Sequence, residues 1–300
     1  MARPVARTRA AAGRVRIGVS GWSYDAWRGR FYPSGLPSAR RLSFLAERFD
    51  TVEANGSFYS LLGPATYRKW YDEVPSGFRI ALKGSRFITH NKKLADVRGP
   101  LANFFASGVL ALGEKLGPLV WQLAPRHAFR AERLSAFLKL LPRDTHAATA
   151  LAREHDERVR DPLVEARGRH RLRHVLEPRH ESFFADEPVA ILRRAGVALA
   201  VSHSGSWPMR EEITAGFVYV RLHGSRPTYA GRYSDAELDA WADKIAAWSR
   251  GGVPEGALTI TDRAPPRRKT RDVYVYFDND AAGHAPFDAE RLVRRVRERS

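Results

Sequence analysis

The sequence predicts a single-domain (β/α)8 TIM barrel, an α/β fold, and three observations lead to that prediction. Eight short apolar runs recur along the 300 residues, each run ends at a polar or charged residue, and the spacing between runs suits one intervening helix. Parallel strands that are buried on both faces have such runs of Val, Ile and Leu, and each needs a crossover before the next strand. A barrel of this type takes about 250 residues and carries its reactive groups where the strands end.

The apolar runs place the eight strands in order along the chain. The strands are predicted near residues 15–20, 51–55, 78–83, 118–123, 173–177, 197–202, 217–222 and 273–278. Amphipathic stretches between the strands predict helices over residues 39–49, 65–74, 101–116, 130–141, 234–250 and 287–300.

Three of these helices have recognisable start signals. Ser38 is predicted to cap the first helix with its hydroxyl. Pro64 suits the first turn of the second helix, because a missing N–H and a fixed φ are tolerated there. Ser234 and Glu237 form a Ser-x-x-Glu capping box, which predicts the start of the helix before the last strand.

One segment is longer than a minimal barrel needs. Residues 142–172 separate the fourth helix from the fifth strand, and part of this insertion, 145–159, is predicted to be helical. The topology places the insertion on the bottom face, where the strands begin. Residues 1–14 are predicted to be a basic, disordered extension, and residues 15–300 the barrel domain.

The composition restricts the class of protein. The chain has no Cys, which excludes disulfides, thiolate chemistry and cysteine-ligated metals and suits a cytoplasmic protein. No apolar stretch approaches the ~18–20 residues that span a bilayer, so no membrane partner is predicted. Residues 1–16 contain five Arg and no acid, a composition that a transit peptide would share, but a disordered extension is the interpretation we favour.

The excess positive charge of the chain is concentrated in three segments. The formal net charge is +17, of which residues 1–16 carry +5, residues 262–272 carry +3 and residues 290–300 carry +3. In a barrel all three segments are expected at the bottom face, away from the reactive end. They could bind a polyanion from below, but a charge run is more often solvated surface.

Charged side chains at the strand ends are expected to converge on the barrel mouth, the face at the carboxyl ends of the strands. Glu53 and Glu177 lie in buried strands, and a buried carboxylate needs a cation or a hydrogen-bond donor. Lys83, Arg179 and Arg221 end other strands and are the expected partners. Two interpretations stay open: a structural set of buried ion pairs, or an acid/base pair beside cations that hold an anionic substrate.

The loop after the first strand is unusually aromatic for a connecting segment. Residues 21–33 contain five aromatic side chains, Trp22, Tyr24, Trp27, Phe31 and Tyr32. The loop is either a satellite core folded over the mouth or a stacking wall for a flat or apolar ligand. Further aromatic residues that could extend such a wall are Phe58, Tyr59 and Trp207.

Metal and cofactor motifs are weak or absent in the sequence. His90, His180 and His223 follow three different strands, but no HxH or HExxH spacing accompanies them, so no metal site and no cofactor are predicted. The sequence has no GxxxxGK[ST] loop, GxGxxG fingerprint or GxSxG elbow. Residues 278–280 (Asp-Asn-Asp) suit either a helix cap or a phosphate site after the last strand.

Seven segments resemble the YecE-like family, domain-of-unknown-function family 72. They are GVSGWSYDAWRGRFYP, TVEANGSFYSL, FRIALKGSRFITH, LGPLVWQLAP, LEPRHESF, FVYVRLHGS and YFDNDAAGHA. The resemblance runs from about residue 15 to the last helix and implies a TIM barrel without an established activity. Two positions depart from the family pattern, Gly56 where Ser or Thr is usual and Asp278 where Asn is common.

The family is also similar in shape to apurinic-site endonuclease and sugar-isomerase barrels, which hold divalent metals with His and carboxylates. Here the equivalent strand ends offer Lys83, Gln122 and Arg221, and the two cations among them would repel a metal cluster. That difference weakens a metal-nuclease interpretation, and similarity of fold alone does not establish function.

The favoured function is a metal-independent enzyme that acts on a small anionic or aromatic ligand at the barrel mouth. The alternatives are a nucleic-acid-binding or nuclease-like protein of the apurinic-site endonuclease type, and a non-catalytic binding scaffold. The candidate catalytic residues are Glu53, Glu177, His90 and His223. The candidate ligand-binding residues are Trp22, Tyr24, Trp27, Asn55, Lys83, Gln122, Arg179, His180, Arg221, Asn279 and Asp280. Whether the protein is an enzyme, its substrate and its oligomeric state lie beyond the sequence.

Overall fold

The strands form one parallel sheet that curls into a barrel. A computed structural model describes residues 11–225 and 228–299. Its strands are β1 (Val15–Ser20), β2 (Thr51–Ala54), β3 (Arg79–Lys83), β4 (Leu116–Gln122), β5 (His174–Glu177), β6 (Ala198–Leu199), β7 (Val201–His203), β8 (Phe217–Leu222) and β9 (Asp272–Phe277). The order is β6-β5-β4-β3-β2-β1-β9-β8-β7. Because β6 and β7 are the two halves of one predicted strand, interrupted at Ala200, this order brings the sheet back on itself and confirms the TIM barrel.

Helices lie between the strands on the outside of the barrel. They are α1 (Arg41–Ala46), α2 (Gly56–Tyr59), α3 (Pro64–Glu73), α4 (Arg98–Ala106), α5 (Ala131–Leu140), α6 (Thr145–Ala152), α7 (Asp186–Ala195), α8 (Asp235–Ser249) and α9 (Ala285–Arg299). Pro64 occupies the first turn of α3 as predicted, and the capping box of Ser234 and Glu237 is formed at the start of α8. None of the helices in the described ranges is long and apolar enough to cross a membrane.

Two helix predictions need correction. Ser38 does not cap α1, because it lies inside a short 3-10 turn, Ser38–Arg40, that precedes the helix. The helix predicted over 101–116 breaks at Gly108, which adopts φ 119°. A Cβ at Gly108 would lie 2.6 Å from the Cα of Pro64, so close packing of α3 requires glycine there. The chain continues as a 3-10 segment, Val109–Lys115.

The insertion before β5 contains less helix than predicted. Its helical part is α6 alone. Asp144 caps this helix, because its carboxylate accepts a hydrogen bond from the Ala147 N–H. The chain then runs without regular structure to β5 and passes below the barrel, where Arg169 and Arg171 lie close to Arg14. The insertion therefore contributes to the bottom face, as the topology predicted.

Side chains inside the barrel form layers, because every second residue of a strand points inward. The middle layer is apolar and aromatic and includes Ala81, Val120, Val175, Tyr219 and Tyr276 from five strands. Charged side chains lie above this layer at the mouth and below it at the bottom. The middle layer therefore separates two polar ends of the barrel.

Much of the positive charge of the last helix is paired. Arg291 contacts Asp235 at 2.6 Å, and Arg299 contacts Asp239 at 3.0 Å. Further ion pairs from α9 to α8 involve Arg295 with the same two aspartates and Arg299 with Asp243. The net charge of residues 290–300 is thus largely neutralised by the neighbouring helix.

His174 makes the stability of the barrel sensitive to acid. It is fully buried on the outer face of β5, where it accepts a hydrogen bond from Trp121 Nε1 at 3.2 Å and donates from Nε2 to the Pro142 carbonyl at 2.7 Å. Burial lowers the pKa of His174 from 6.5 to about 4. The unfolded chain therefore takes up the proton first as the pH falls.

We expect the protein to lose stability between pH 6.5 and about pH 4 through His174. The loss approaches about 1.4 kcal/mol per pH unit for this one group. The variant His174→Gln keeps a donor and an acceptor but cannot be protonated, so its free energy of unfolding should fall less over the same window. Urea unfolding of both proteins across this range measures the difference, and parallel curves would contradict the prediction.

Candidate functional site

An arginine joins three carboxylates at the centre of the mouth. The Arg221 guanidinium donates from Nη2 to Glu53 Oε1 at 2.7 Å and to Asp278 Oδ2 at 2.9 Å. Its Nη1 donates to Glu177 Oε2 at 2.9 Å. Arg221 is 1% exposed, and both glutamates are completely buried. The cluster therefore comprises one cation and three acids from four strand ends, held away from water.

Glu53 has no free hydrogen-bonding capacity. Its Oε1 accepts from Ser20 Oγ at 2.5 Å and from Arg221, while its Oε2 accepts from Tyr219 OH at 2.5 Å and from Arg221 Nε at 3.1 Å. A carboxylate with four donors and no solvent contact is a poor proton acceptor for a substrate. Its geometry fits the structural ion-pair interpretation better than a catalytic one.

Glu177 is held ionised beside a histidine. Burial opposes its ionisation, but Arg221 and then His223 hold the pKa of Glu177 well below its usual value. Ser202 Oγ donates to Glu177 Oε1 at 3.0 Å, and His223 Nε2 lies 3.4 Å from the same oxygen. The Arg179 guanidinium lies 3.7 Å from that oxygen as well. Glu177 is thus positioned to orient its neighbours.

His223 lies between two acids under aromatic side chains. Its Nδ1 is 3.1 Å from Asp278 Oδ2, on the side opposite to Glu177. The rings of Trp207 and Tyr229 pack against the imidazole at 5.0 and 5.3 Å between centroids. Because His223 is completely buried, it lies beneath the mouth surface and could reach a ligand only through its neighbours.

Lys83 is a cation of the mouth that forms no hydrogen bond or ion pair with the described part of the protein. Its ammonium lies 4.2 Å from the centroid of the Phe58 ring and makes no hydrogen bond or ion pair within the described ranges. Burial, and then repulsion by Arg221, lower the pKa of Lys83 to about 8. About a tenth of the amine is therefore deprotonated at pH 7 and half at pH 8, a range in which a general acid or base can exchange protons.

Two arginines, Arg86 and Arg179, and two histidines lie near Lys83 on one side of the mouth, and the arginines carry the positive charge. Burial, and then the charges of Lys83, Arg86 and Arg179, lower the pKa of His90. Burial also lowers the pKa of His127, which follows β4. The three basic segments recognised in the sequence do not include these residues, so positive charge is present at the mouth as well as at the bottom.

The aromatic loop after β1 is mainly a satellite core. Trp27 is completely buried and packs on Tyr24, Phe31 and Tyr32 at 5.1–5.5 Å between ring centroids. Trp27 therefore does not form a surface on which a ligand could stack. Trp22 is partly exposed and packs edge-on against the Trp70 ring of α3 at 5.2 Å.

Tyr24 and Asp280 line the β1 side of the mouth. Tyr24 OH donates to the Ser20 carbonyl at 2.6 Å, and burial, then the charges of Asp280 and Asp278, raise the pKa of Tyr24. Burial, and then repulsion by Asp278, raise the pKa of Asp280 well above its usual value. The pKa values of these two neighbouring carboxyls therefore differ in direction. Asp278 is ionised beside Arg221, and Asp280 is favoured in the neutral form.

The remaining predicted residues divide into two groups. Asn279 is enclosed by protein and donates to the Gly231 carbonyl at 2.9 Å and to Asp288 at 3.0 Å, which ties the loop to α9. His180 turns its Nδ1 toward the Ser182 hydroxyl at 2.8 Å. In contrast, Asn55 Oδ1, Gln122 Oε1 and Arg179 Nε are buried without a hydrogen-bond partner among residues 11–225 and 228–299. Buried polar atoms are normally satisfied, and Asn279 Oδ1 and both carboxylate oxygens of Asp280 are unpaired in the same way.

Sequence reasoning did not select several residues of the cluster. Ser20, Ser202 and Tyr219 each donate to a glutamate, yet none was among the candidates. Alternation within a strand could have found Tyr219, because it lies two residues before Arg221 and must share its face. No comparable signal distinguishes the two serines from other serines of the chain.

Three comparisons relate the chain to known proteins. A family model described as "Protein of unknown function DUF72" matches residues 16–300. The "UPF0759 protein YecE" of Escherichia coli (strain K12) is 25% identical over 262 residues, which cover 83% of this chain and 88% of that protein.

Two solved structures show the same fold. A DUF72 family protein from Thermotoga maritima has a TM-score of 0.71 and 21% identity, covering 95% of this chain and 99% of that chain. Another, from Enterococcus faecalis, has a TM-score of 0.66 and 15% identity, covering 94% of this chain and 95% of that chain. At these identities the structures establish the fold alone.

Proposed function

This chain belongs to the DUF72 family of proteins of unknown function, and we propose that it is an enzyme that binds a small anion at the barrel mouth. The observation that carries the proposal is Lys83, an uncommitted ammonium with a pKa of about 8 beside a cluster in which Arg221 already donates to all three carboxylates. An anion beside Lys83 would form an ion pair with its ammonium and leave the contacts of Arg221 unchanged.

The proposed roles differ among the mouth residues. Lys83 acts as the general acid or base, because its pKa of about 8 allows it to exchange a proton near neutral pH. The unpaired Arg179 Nε–H donates to the anion, and the unpaired Gln122 Oε1 accepts a hydrogen bond from a donor group of the same ligand. Glu177 orients Arg179 and His223, and Glu53 with Arg221 forms the rigid floor.

We propose that the chemistry is independent of metal. Within the described ranges no group of three or more His, Asp or Glu side chains is arranged to hold a metal ion. His223, Glu177 and Asp278 do meet, but the Arg221 guanidinium lies among them and hydrogen-bonds to both acids. A dication in the same place would be repelled by that cation.

A single-stranded nucleic acid is the second candidate ligand. Tyr59 and Phe87 are 68% and 46% exposed after β2 and β3, beside the basic side of the mouth. Exposed aromatic rings with nearby cations are the usual platform for stacking bases and binding phosphates.

The two candidates are separated by binding measurements on the full chain. We expect small carboxylates or phosphates to raise the melting temperature of the native protein, because a ligand that binds only the folded state stabilises it. Arg179→Gln should lose that shift, while Arg267→Gln, an exposed arginine at the bottom, should keep it. Equal shifts in the two variants would contradict the mouth site.

Binding of a short oligonucleotide that weakens steeply with salt and is lost in Phe87→Ser would favour the second candidate instead.

A further inference from the structure

A second cavity lies at the bottom of the barrel, opposite the mouth. It has a volume of about 440 Å³ and opens where the strands begin. Six arginines line it, Arg14, Arg16, Arg79, Arg169, Arg171 and Arg173. The apolar middle layer of the barrel separates it from the mouth, so it is a different site.

Only part of this positive charge is neutralised by the protein. Arg173 contacts Asp272 at 2.7 Å, and Arg169 contacts Asp144 at 2.9 Å. The other four arginines form no ion pair with any residue of 11–225 or 228–299, although Asp50 lies near enough to feel the charge of Arg16. The acidic lining residue Glu114 accepts a hydrogen bond from Tyr71 instead.

Arg16 is the most informative of the four unpaired arginines. It is only 5% exposed, its Nε has no hydrogen-bond partner among the described residues, and its guanidinium lies 5.6 Å from the Tyr274 ring centroid. A buried Nε–H without an acceptor costs stability, although the Asp50 and Asp272 carboxylates lie near enough to interact with the charge of Arg16. Arg79 beside it donates only to the Phe78 carbonyl at 3.0 Å, and burial, then repulsion by Arg16 and Arg14, lower the pKa of Arg79. These groups repel one another unless an anion lies between them.

We propose that the bottom cavity binds a small anion that carries two or more phosphate groups. Guanidinium groups match phosphate oxygens with paired N–H donors, and four unpaired cations call for more than one negative charge. The volume is in the range of small-molecule sites, about 300–1,000 Å³. The recessed position of Arg16 favours a small anion over a nucleic acid, whose backbone is contacted mainly by exposed side chains.

Calorimetry with inorganic pyrophosphate on the full chain tests the proposal. We expect binding at low salt that weakens as salt is added. Arg79→Gln and Arg171→Gln should each raise the Kd about tenfold or more, because each removes charge-assisted hydrogen bonds. Arg267→Gln removes the same charge from an exposed loop outside the cavity and should leave the Kd unchanged.

Arg16→Met separates binding from folding. This variant removes a buried unpaired charge, so we expect its melting temperature without ligand to be equal to or above that of the native protein, while pyrophosphate binding is lost. Absence of pyrophosphate binding by the native protein would overturn the proposal, whether or not an oligonucleotide binds. An equal loss in Arg171→Gln and Arg267→Gln would overturn it too. None of these variants touches the mouth, so binding that they remove belongs to the bottom cavity, whereas binding that persists in all of them belongs to the mouth.

Discussion

Arg221→Met is expected to lower the free energy of unfolding by about 3–5 kcal/mol, the usual effect of removing one partner from a buried ion pair. The variant leaves Glu53, Glu177 and Asp278 without the guanidinium that contacts all three. Arg221→Lys should not restore stability, because a single ammonium cannot reproduce the planar set of donors. Urea unfolding at neutral pH measures both variants.

The pH dependence of this effect has a definite sign. In the native protein, the pKa values of Glu177 and Asp278 are lowered, so their contribution to stability is present above their unfolded values of 4.5 and 3.8 and is lost below them. In Arg221→Met the same buried carboxyls lose their cation and prefer the protonated form. The difference in stability between native protein and variant should therefore shrink as the pH falls.

The matched control for Arg221 is an arginine paired at the surface. Arg232 is 60% exposed and lies 3.8 Å from Asp288, so Arg232→Met should change stability little. If Arg221→Met were as stable as Arg232→Met, the three-carboxylate cluster would not be the structural floor of the mouth.

Lys83 is expected to be the most reactive of the chain's eight lysines toward an acylating reagent near pH 8. With a pKa of about 8, half of its amines are free at that pH. An ordinary lysine with a pKa of about 10.4 has roughly a hundredfold less free amine there. Lys115 also has a lowered pKa, but its ammonium is bonded to the Tyr71 and Val74 carbonyls and is 7% exposed, so it should be protected.

Peptide mapping by mass spectrometry over a pH series measures the reactivity of each lysine. Lys269, exposed on the basic loop, is the internal control. Anions that bind the mouth should protect Lys83 and leave Lys269 unaffected. With a substrate in hand, Lys83→Met should lower kcat by about 10²–10⁴-fold, the usual effect of a general acid or base. If the acylation of Lys83 and of Lys269 had the same pH midpoint, the proposed function would lose its basis.

The two ends of the barrel use arginine in opposite ways. At the mouth, Arg221 satisfies three carboxylates and leaves Lys83 as the available cation. At the bottom, Arg16 and Arg79 have no acidic partner within the described ranges. The first arrangement fixes the charged side chains of the mouth, and the second concentrates positive charge at the bottom of the barrel.

The sequence by itself determined the strands and the position of the site. Each strand is a run of consecutive apolar residues, so its burial can be read locally, and all eight predicted positions contain strands. Parallel strand ends must meet at one face, which brought Glu53, Lys83, Glu177 and Arg221 together as expected.

Only the tertiary structure decided which partners each site residue has. Glu53 was predicted as a catalytic candidate, and the structure adds that its two oxygens accept from four donors of β1 and β8. The break at Gly108 depends on contact with Pro64, and the burial of Trp27 depends on the path of its loop. A sequence carries residue types and local periodicity, whereas the partners of a side chain come from segments distant in the chain. Pairing, and with it the division between a structural charge and a reactive one, is therefore a property of the folded barrel.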